Sequence, residues 1–266
     1  MRAPIFQVDA FTNRPFAGNP AAVCVLSEER DDAWLTAVAA EMNLPETAFL
    51  RRENGAWRLR WFTPTVEMPL CGHATLASAH ALWEEGYADP RESLVFHTKS
   101  GELTARRVPD GIELDFPAER AEVAPAPAEL LSALGIGAVR FTGRNRLDWL
   151  VETADAATVR TLRPDLPAVA RAGGGARGVI VTAASDRPEF DFVSRFFAPA
   201  AGIDEDPVTG SAHCCLGPYW GGKLGKTALT GFQASPRGGV VRVRLEGPRV
   251  ALGGTAVTVL RGSLDA

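Results

Sequence analysis

The stretch of residues 191–220 restricts the fold of this chain more than any other, because it has the pattern of a strand, a tight loop and a helix. Residues 191–197 are aromatic and β-branched, which is typical of a strand. The loop that follows carries three consecutive acids at positions 204–206, and a helical pattern begins near Ser211 and extends to about Trp220. This order of elements places the start of a helix directly after a polar corner.

The start of that helix is a candidate anion site. The first N–H groups of a helix have no partner within the helix, so Thr209, Gly210 and Ser211 are predicted to present donors to a carboxylate or phosphate. A glycine at this corner lets a ligand come close to the backbone. We therefore expect a small anion to bind here.

A similar corner occurs earlier in the chain. A strand over residues 57–63 leads through the loop of residues 69–75 into a helix that ends near Gly86. When the two stretches are aligned, Cys71 falls opposite Asp206. The pattern predicts two similar halves, although chance similarity between two strand–loop–helix units is an alternative.

The composition excludes several classes of function. The chain has 266 residues and a formal net charge of −4, and its basic residues are scattered, which argues against a nucleic-acid partner. It shows no signal peptide and no run of membrane-spanning length, so a cytoplasmic protein that does not bind membranes is expected. Its four cysteines have no regular spacing and predict no disulfide framework.

The best linker in the sequence is the stretch of residues 117–127, which is rich in Pro, Ala and Glu. We place a boundary at its start, with one domain over residues 1–117 and another over 118–266, whose last residues are candidates to pack on the first half.

Three helices are predicted besides the two described above. One begins at a Ser27 cap and stops at Asn43, and the others span residues 128–134 and 161–165.

Glu46 is the acid that most needs an explanation. It lies at the start of a mostly apolar strand, where a carboxylate is costly unless it has partners or a catalytic role. An ion-paired residue at a strand end is the alternative.

Two opposed helix starts with acids and a histidine beside them predict proton transfer at carbon without a cofactor. One group removes a proton, and the N–H groups stabilise the developing negative charge. Zinc binding by Cys71, His73, His213 and Cys214 is a competing hypothesis, but their spacing matches no common structural site. Catalysis by a Cys71 or Ser211 nucleophile is another, although neither has the glycine-framed turn of a hydrolase.

Six motifs in order carry a resemblance that covers nearly the whole chain. They span residues 8–12, 16–23, 43–49, 59–64, 70–75 and 205–212. With these motifs, the sequence resembles the phenazine-biosynthesis PhzF-like isomerase family, a branch of the diaminopimelate-epimerase fold.

The resemblance implies an α+β fold of two similar β-barrel-like halves, each around a central helix, with the active site between them and a homodimer as the usual assembly. It implies that Glu46 is the acid/base residue and that His73 and Asp206 are its polar partners. The substrate carboxylate would be bound by Gly72, Gly210 and Ser211, with Cys71 and Thr209 beside them. Independently of the resemblance, we expect that no metal, flavin or nicotinamide is needed, because the sequence has no convincing dinucleotide fingerprint and no regular ligand set.

The implied reaction is an isomerisation that moves a proton on a small carboxylate. Epimerases and proline racemases of the same fold use two thiols, whereas here Cys71 stands at one corner and Asp206 at the other, so a two-cysteine racemisation is less favoured. Amino-acid epimerisation and a catalytically inactive binding or scaffold protein are the alternatives.

Overall fold

A computed structural model describes residues 2–265 and contains seventeen strands, six α-helices and a 3₁₀ turn at Pro199–Ala201. The strands are β1 (Arg2–Ala10), β2 (Asn19–Leu26), β3 (Glu46–Glu53), β4 (Ala56–Phe62), β5 (Glu67–Met68), β6 (Leu94–Thr98), β7 (Gly101–Val108), β8 (Gly111–Pro117), β9 (Glu122–Val123), β10 (Val139–Arg144), β11 (Asp148–Thr153), β12 (Gly178–Ala184), β13 (Phe192–Phe197), β14 (Ala228–Gln233), β15 (Gly239–Glu246), β16 (Arg249–Gly254) and β17 (Ala256–Asp265). The helices are α1 (Asp32–Met42), α2 (Gly72–Glu84), α3 (Ala128–Leu134), α4 (Ala156–Thr161), α5 (Leu166–Ala172) and α6 (Gly210–Leu224).

The chain divides into two compact units. The first contains residues 1–116 and 253–266, and the second contains residues 117–252. The last strand, β17, returns to the first unit, where it pairs antiparallel with β1 over most of its length. The first unit is therefore built from both ends of the chain.

In the first unit, strand pairing places the two strand ends that frame the candidate site side by side. β1 pairs antiparallel with β2, and β2 pairs parallel with β3, so that Ala21 is opposite Glu46. A parallel pair needs a crossover, and α1 provides it. Asn19 and Glu46, the first residues of β2 and β3, consequently lie at the same end of two adjacent strands.

Helix α1 begins later than the sequence predicts. Its N-cap is Asp31, whose carboxylate accepts a hydrogen bond from Trp34 N at 2.8 Å, and not Ser27. The carboxylate satisfies an N–H group that lacks a partner in the helix, which is the reason for the later start. The predicted stop at Asn43 is confirmed, because this residue adopts the left-handed conformation with φ of 49°.

The two longest helices are mostly buried. Ten of the thirteen residues of α2 are buried, including polar Thr75 and Ser78, whose hydroxyls donate back to helix carbonyls. In the second unit, ten of the fifteen residues of α6 are buried. A helix that is buried on nearly every side belongs inside its layer of strands rather than on the surface.

In the second unit, β11, β12, β13, β14 and β15 are hydrogen-bonded in that order. The pairs β11–β12 and β13–β14 are parallel, and β12–β13 and β14–β15 are antiparallel. A cluster of buried apolar side chains, among them Leu134, Val159 and Val181, packs between these strands and α3, α4 and α5. The sheet therefore fixes the end of β13, after which the chain enters the loop before α6.

Two predictions for the second unit need correction. Residues 161–165 are not a helix, because α4 ends at Thr161 and Asp165 is the N-cap of α5, accepting from Ala168 N at 3.0 Å. The stretch of residues 117–127, which the sequence predicts as a linker, contains the short strand β9, which pairs with β10. Helix α6 runs beyond Trp220 to Leu224 despite an internal Pro218, and it ends where Gly225 adopts a left-handed conformation.

Within the described residues 2–265, no helix is both long enough and apolar enough to cross a membrane.

Candidate active site

The first constellation of polar groups lies in the first unit and is formed by Glu46, Cys71, His73 and Asn19. Glu46 is the first residue of β3, Cys71 is the N-cap of α2, and His73 lies in the first turn of that helix. All four side chains are buried, and His73 is only 4% exposed. Polar groups removed from water to this extent need partners or a function.

The imidazole of His73 connects these groups. Its Nε2 lies 3.1 Å from Glu46 Oε2, and its Nδ1 lies 3.5 Å from Cys71 Sγ. Neither Glu46 Oε2 nor His73 Nε2 completes a well-aligned hydrogen bond, although both atoms are buried. Two polar atoms in this condition are available to a third group, such as a ligand.

The electrostatics of this constellation favour charge on the ring and a protonated thiol. Burial opposes the charged form of His73, but Cys71 and Glu46 favour it, and the net effect raises the pKa of His73 above its ordinary value. Burial, reinforced by the charge of Glu46, raises the pKa of the Cys71 thiol. Cys71 is therefore a neutral thiol near pH 7, which makes it a weak nucleophile.

Glu46, Cys71 and His73 are chemically able to hold a metal ion, since one donor atom of each lies within 4.8 Å of the others. The closest contacts, however, join Cys71 and Glu46 to opposite nitrogens of the His73 ring. A zinc-bound cysteine has to be a thiolate, whereas burial and the charge of Glu46 raise the pKa of the Cys71 thiol. The electrostatics of this group therefore give no support for a zinc site.

The second constellation lies in the second unit, in the loop before α6. Asp206 is half-buried, and its Oδ2 accepts a hydrogen bond from Thr209 Oγ1 at 2.6 Å. Its backbone is held as well, because Asp206 N donates to Phe196 O and Asp206 O accepts from Gln233 Nε2 at 2.7 Å. Asp206 is thus fixed from its main chain and from its side chain.

The structure corrects one expectation for Thr209. This residue is the N-cap of α6, and its N–H donates to Gln233 Oε1 at 2.8 Å, so it is not a free donor. Gly210 and Ser211 begin the helix, and their N–H groups belong to the first turn, which has no partners within the helix. These two residues remain the candidates for binding an anion.

Ser211 is held by a charged pair. Arg177 Nη2 donates to Ser211 Oγ at 2.9 Å, and Arg177 Nε donates to Asp148 Oδ1 at 3.0 Å. Asp148 is almost fully buried, whereas the Arg177 side chain is partly exposed. Because the hydroxyl oxygen accepts from Arg177, its own proton is directed elsewhere and is available to an acceptor.

Several of these residues were not predicted from the sequence. Asn19 lies directly before a proline at the start of β2, and Gln233 is a fully buried polar residue at the end of an apolar strand. Asp148 is the first residue of β11, and Arg177 directly precedes β12. A buried amide within an apolar pattern is the signal that identifies Asn19 and Gln233. Arg177 and Asp148 carry no such local signal.

Solved structures define the class of protein. A hydroxyproline epimerase from Agrobacterium vitis aligns with 99% of this chain and 92% of its own length at a TM-score of 0.62, and its 11% sequence identity shows the fold alone. A phenazine biosynthesis protein of the PhzF family from Enterococcus faecalis aligns over the whole of both chains with a TM-score of 0.95 and 42% identity. The fold is therefore the diaminopimelate-epimerase-like α+β fold, as predicted.

The sequence comparisons give the family. The family model for phenazine biosynthesis-like proteins, PhzC-PhzF, matches residues 8–262, and the chain belongs to this family. An uncharacterised isomerase from Halalkalibacterium halodurans is 52% identical over 265 residues, which are 99% of each chain. The predicted family membership is confirmed, and the relatives include proteins named as isomerases.

Proposed function

We propose that this protein is a cofactor-independent isomerase that moves a proton at carbon on a small carboxylate. The observation that carries the proposal is the state of Glu46, a buried carboxylate whose Oε2 lies 3.1 Å from His73 Nε2 and has no hydrogen-bond partner. A carboxylate that is kept dry and beside a polar partner is suited to take a proton from carbon and return it elsewhere.

In this proposal, Glu46 is the acid/base residue and His73 is its polar partner. Gly72, which begins α2 in the first unit, offers a helix N-terminal N–H to negative charge, and Cys71 lines the same corner. In the second unit, Asp206 is the further polar group that contacts the substrate. Gly210 and Ser211 bind the carboxylate, and Thr209 acts by holding Asp206 in place.

A two-thiol racemase is less well supported. Such an enzyme needs two thiols that exchange protons, and the pKa of Cys71 is raised. Cys214 and Cys215, the cysteines of the second unit, are buried in α6, and burial raises the pKa of both. The first constellation contains the carboxylic acid Glu46, which favours proton transfer through this residue over transfer through a thiol.

A homodimer is proposed on the resemblance to the family alone.

The test is hydrogen exchange from solvent. The protein is incubated in D₂O with a panel of unsaturated and cyclic small carboxylates, and deuterium incorporation at carbon is followed by NMR. Glu46→Gln should lower the rate by about 10²–10⁴-fold, because it is isosteric and removes the group that carries the proton.

The matched control is Glu53→Gln, which changes the last residue of the same strand, where the side chain is partly exposed and paired with Arg51. This variant should keep the wild-type rate. If Glu46→Gln exchanged deuterium as fast as the Glu53→Gln control, the assignment of Glu46 would be refuted.

A further inference from the structure

The imidazole of His73 has a polar neighbour at each of its nitrogens, and the neighbour at Nδ1 is a side-chain amide. Asn19 Nδ2 lies 3.1 Å from His73 Nδ1, and Cys71 Sγ lies 3.5 Å from the same nitrogen. At the other ring nitrogen, Glu46 Oε2 lies 3.1 Å from Nε2. Asn19, Glu46 and His73 are all buried, so solvent does not compete for these contacts.

The chemistry of an amide restricts where the ring can carry its proton. The nitrogen end of asparagine only donates, and a carboxylate only accepts. A donor facing Nδ1 requires Nδ1 to be an acceptor. In the neutral imidazole the single proton must then lie on Nε2, where it faces Glu46.

We propose that the side-chain amide of Asn19 is a positioning group for the proton of His73. The N–H end of the amide keeps the neutral ring in the form with its proton on Nε2, the nitrogen beside Glu46. When the ring takes up its second proton, at Nδ1, the carbonyl end of the amide takes the place of the N–H end. A half-turn of the amide exchanges the two ends, so one side chain matches both protonation states of the ring.

This arrangement separates the tasks of the two titratable groups. With Nε2 already protonated, neutral His73 cannot accept a proton from Glu46 at that nitrogen. Glu46 is then the group that exchanges a proton with a substrate, and His73 stabilises its carboxylate form. This consequence rests on the proposed function, whereas the location of the proton on His73 does not.

The groups that act on His73 come from several elements. Helix α2 packs against β1, β2, β3 and β17. Of these strands, β3 contributes Glu46, β2 contributes the uncharged Asn19, and β1 carries the buried Asp9, whose Oδ2 accepts from Phe16 N at 2.7 Å. Thr258 on β17 contacts His80, seven residues further along α2, at 3.2 Å. Cys71 is the titratable group nearest to Nδ1.

The second buried histidine of the chain provides an internal reference. His213 Nδ1 lies 2.8 Å from the carbonyl oxygen of Thr209, and a carbonyl only accepts, so this ring carries its proton on Nδ1. The two buried histidines are therefore expected to be opposite tautomers. NMR of imidazole nitrogens distinguishes the two forms directly.

The experiment uses the full-length protein labelled with ¹⁵N-histidine and recorded without substrate across a pH series. The chain has four histidines, and the signals of His73 are assigned by their loss in His73→Gln. In the wild type, neutral His73 should carry its proton on Nε2 and His213 should carry it on Nδ1. The Asn19 side-chain amide signals should shift with the same midpoint as His73.

Substitution of Asn19 provides the second arm. Asn19→Asp presents an acceptor to Nδ1 and should raise the midpoint of the His73 titration by about 1–3 pH units. Asn54→Asp is the matched control, since it adds the same charge at an exposed turn, and it should leave the midpoint in place.

Two results would overturn the proposal. One is a wild-type spectrum in which neutral His73 carries its proton on Nδ1, and this measurement needs no variant that might fail to fold. The other is a folded Asn19→Asp protein whose His73 midpoint equals that of Asn54→Asp. Since neither measurement involves turnover, loss of activity in Glu46→Gln tests the proposed function separately.

Discussion

Replacement of Arg195 by methionine tests how the loop before α6 is held. The Arg195 side chain is 7% exposed, and it donates from Nε to Glu205 Oε1 at 2.7 Å and from Nη2 to Glu205 Oε2 at 2.8 Å. Its Nη1 also donates to the carbonyl of Leu162 at 2.9 Å. Methionine keeps most of the apolar stem and removes all three donors, so Glu205 is left largely buried without its cation.

The expected cost follows from this geometry. Breaking a buried ion pair by removal of one partner costs about 3–5 kcal/mol, because the remaining charge is left uncompensated. Glu205 is 17% exposed, so solvent reduces the penalty and the lower end of the range applies. At about 2–4 °C per kcal/mol for a chain of this size, the melting temperature should fall by about 6–12 °C. The double variant Arg195→Met/Glu205→Gln should recover part of the loss.

The assay is thermal and urea unfolding of the variants and of a matched surface pair. Arg160 makes the same two-pronged contact with Asp186, but these side chains are 35% and 53% exposed. Arg160→Met should therefore cost no more than about 1 kcal/mol. Equal losses for Arg195→Met and Arg160→Met, or strict additivity in the double variant, would refute the argument that burial of the pair determines its effect.

Three further predictions concern pH, packing and metal. Burial lowers the pKa of His213 from 6.5 to about 4. As the pH falls, this histidine therefore binds a proton in the unfolded chain before it does so in the folded protein. The free energy of unfolding should consequently decrease by about 3 kcal/mol between pH 6.5 and 4. His213→Asn should remove this dependence in urea titrations at each pH, and an unchanged slope would contradict the assignment. Gly18→Ala should destabilise the protein strongly, because a Cβ there would lie 2.1 Å from Ala10 O and the residue has a φ of +64°. In the control Gly55→Ala, the added Cβ lies in open space, and the cost should be only about 1 kcal/mol. Equal effects of the two substitutions in thermal melts would show that the clash at Gly18 is relieved. Exchange activity on the best carboxylate should survive dialysis against a chelator, and activity restored only by added zinc would disprove cofactor independence.

Local sequence patterns predicted most of the elements around the candidate site. The strand beginning at Glu46, the helix that ends near Gly86 and the helix stop at Asn43 each depend on residues within a few positions, and each is found in the structure. The errors fall where local signals compete. Ser27 and Asp31 are both good caps, and only the hydrogen bond from Trp34 N identifies Asp31.

The family and its fold were also available from the sequence, because its motifs lie in a fixed order along nearly the whole chain. The roles of Glu46, His73 and Asp206 remain proposals, and the structure adds the contacts in which each takes part. Glu46 and His73 come together because β3 and the first turn of α2 belong to the same unit.

The partners of these residues were decided by tertiary structure alone. Asn19 reaches His73 across 54 positions of sequence, Gln233 reaches Thr209 across 24, and Arg177 reaches Ser211 across 34. Periodicity and capping patterns depend on neighbours within a few residues, whereas a side-chain hydrogen bond depends on which strand ends the fold places together. The sequence therefore determined which residues could take part in the chemistry. Strand pairing determined which side chains position those residues. It also placed Gln233 where its side chain accepts the hydrogen bond of the Thr209 N–H group.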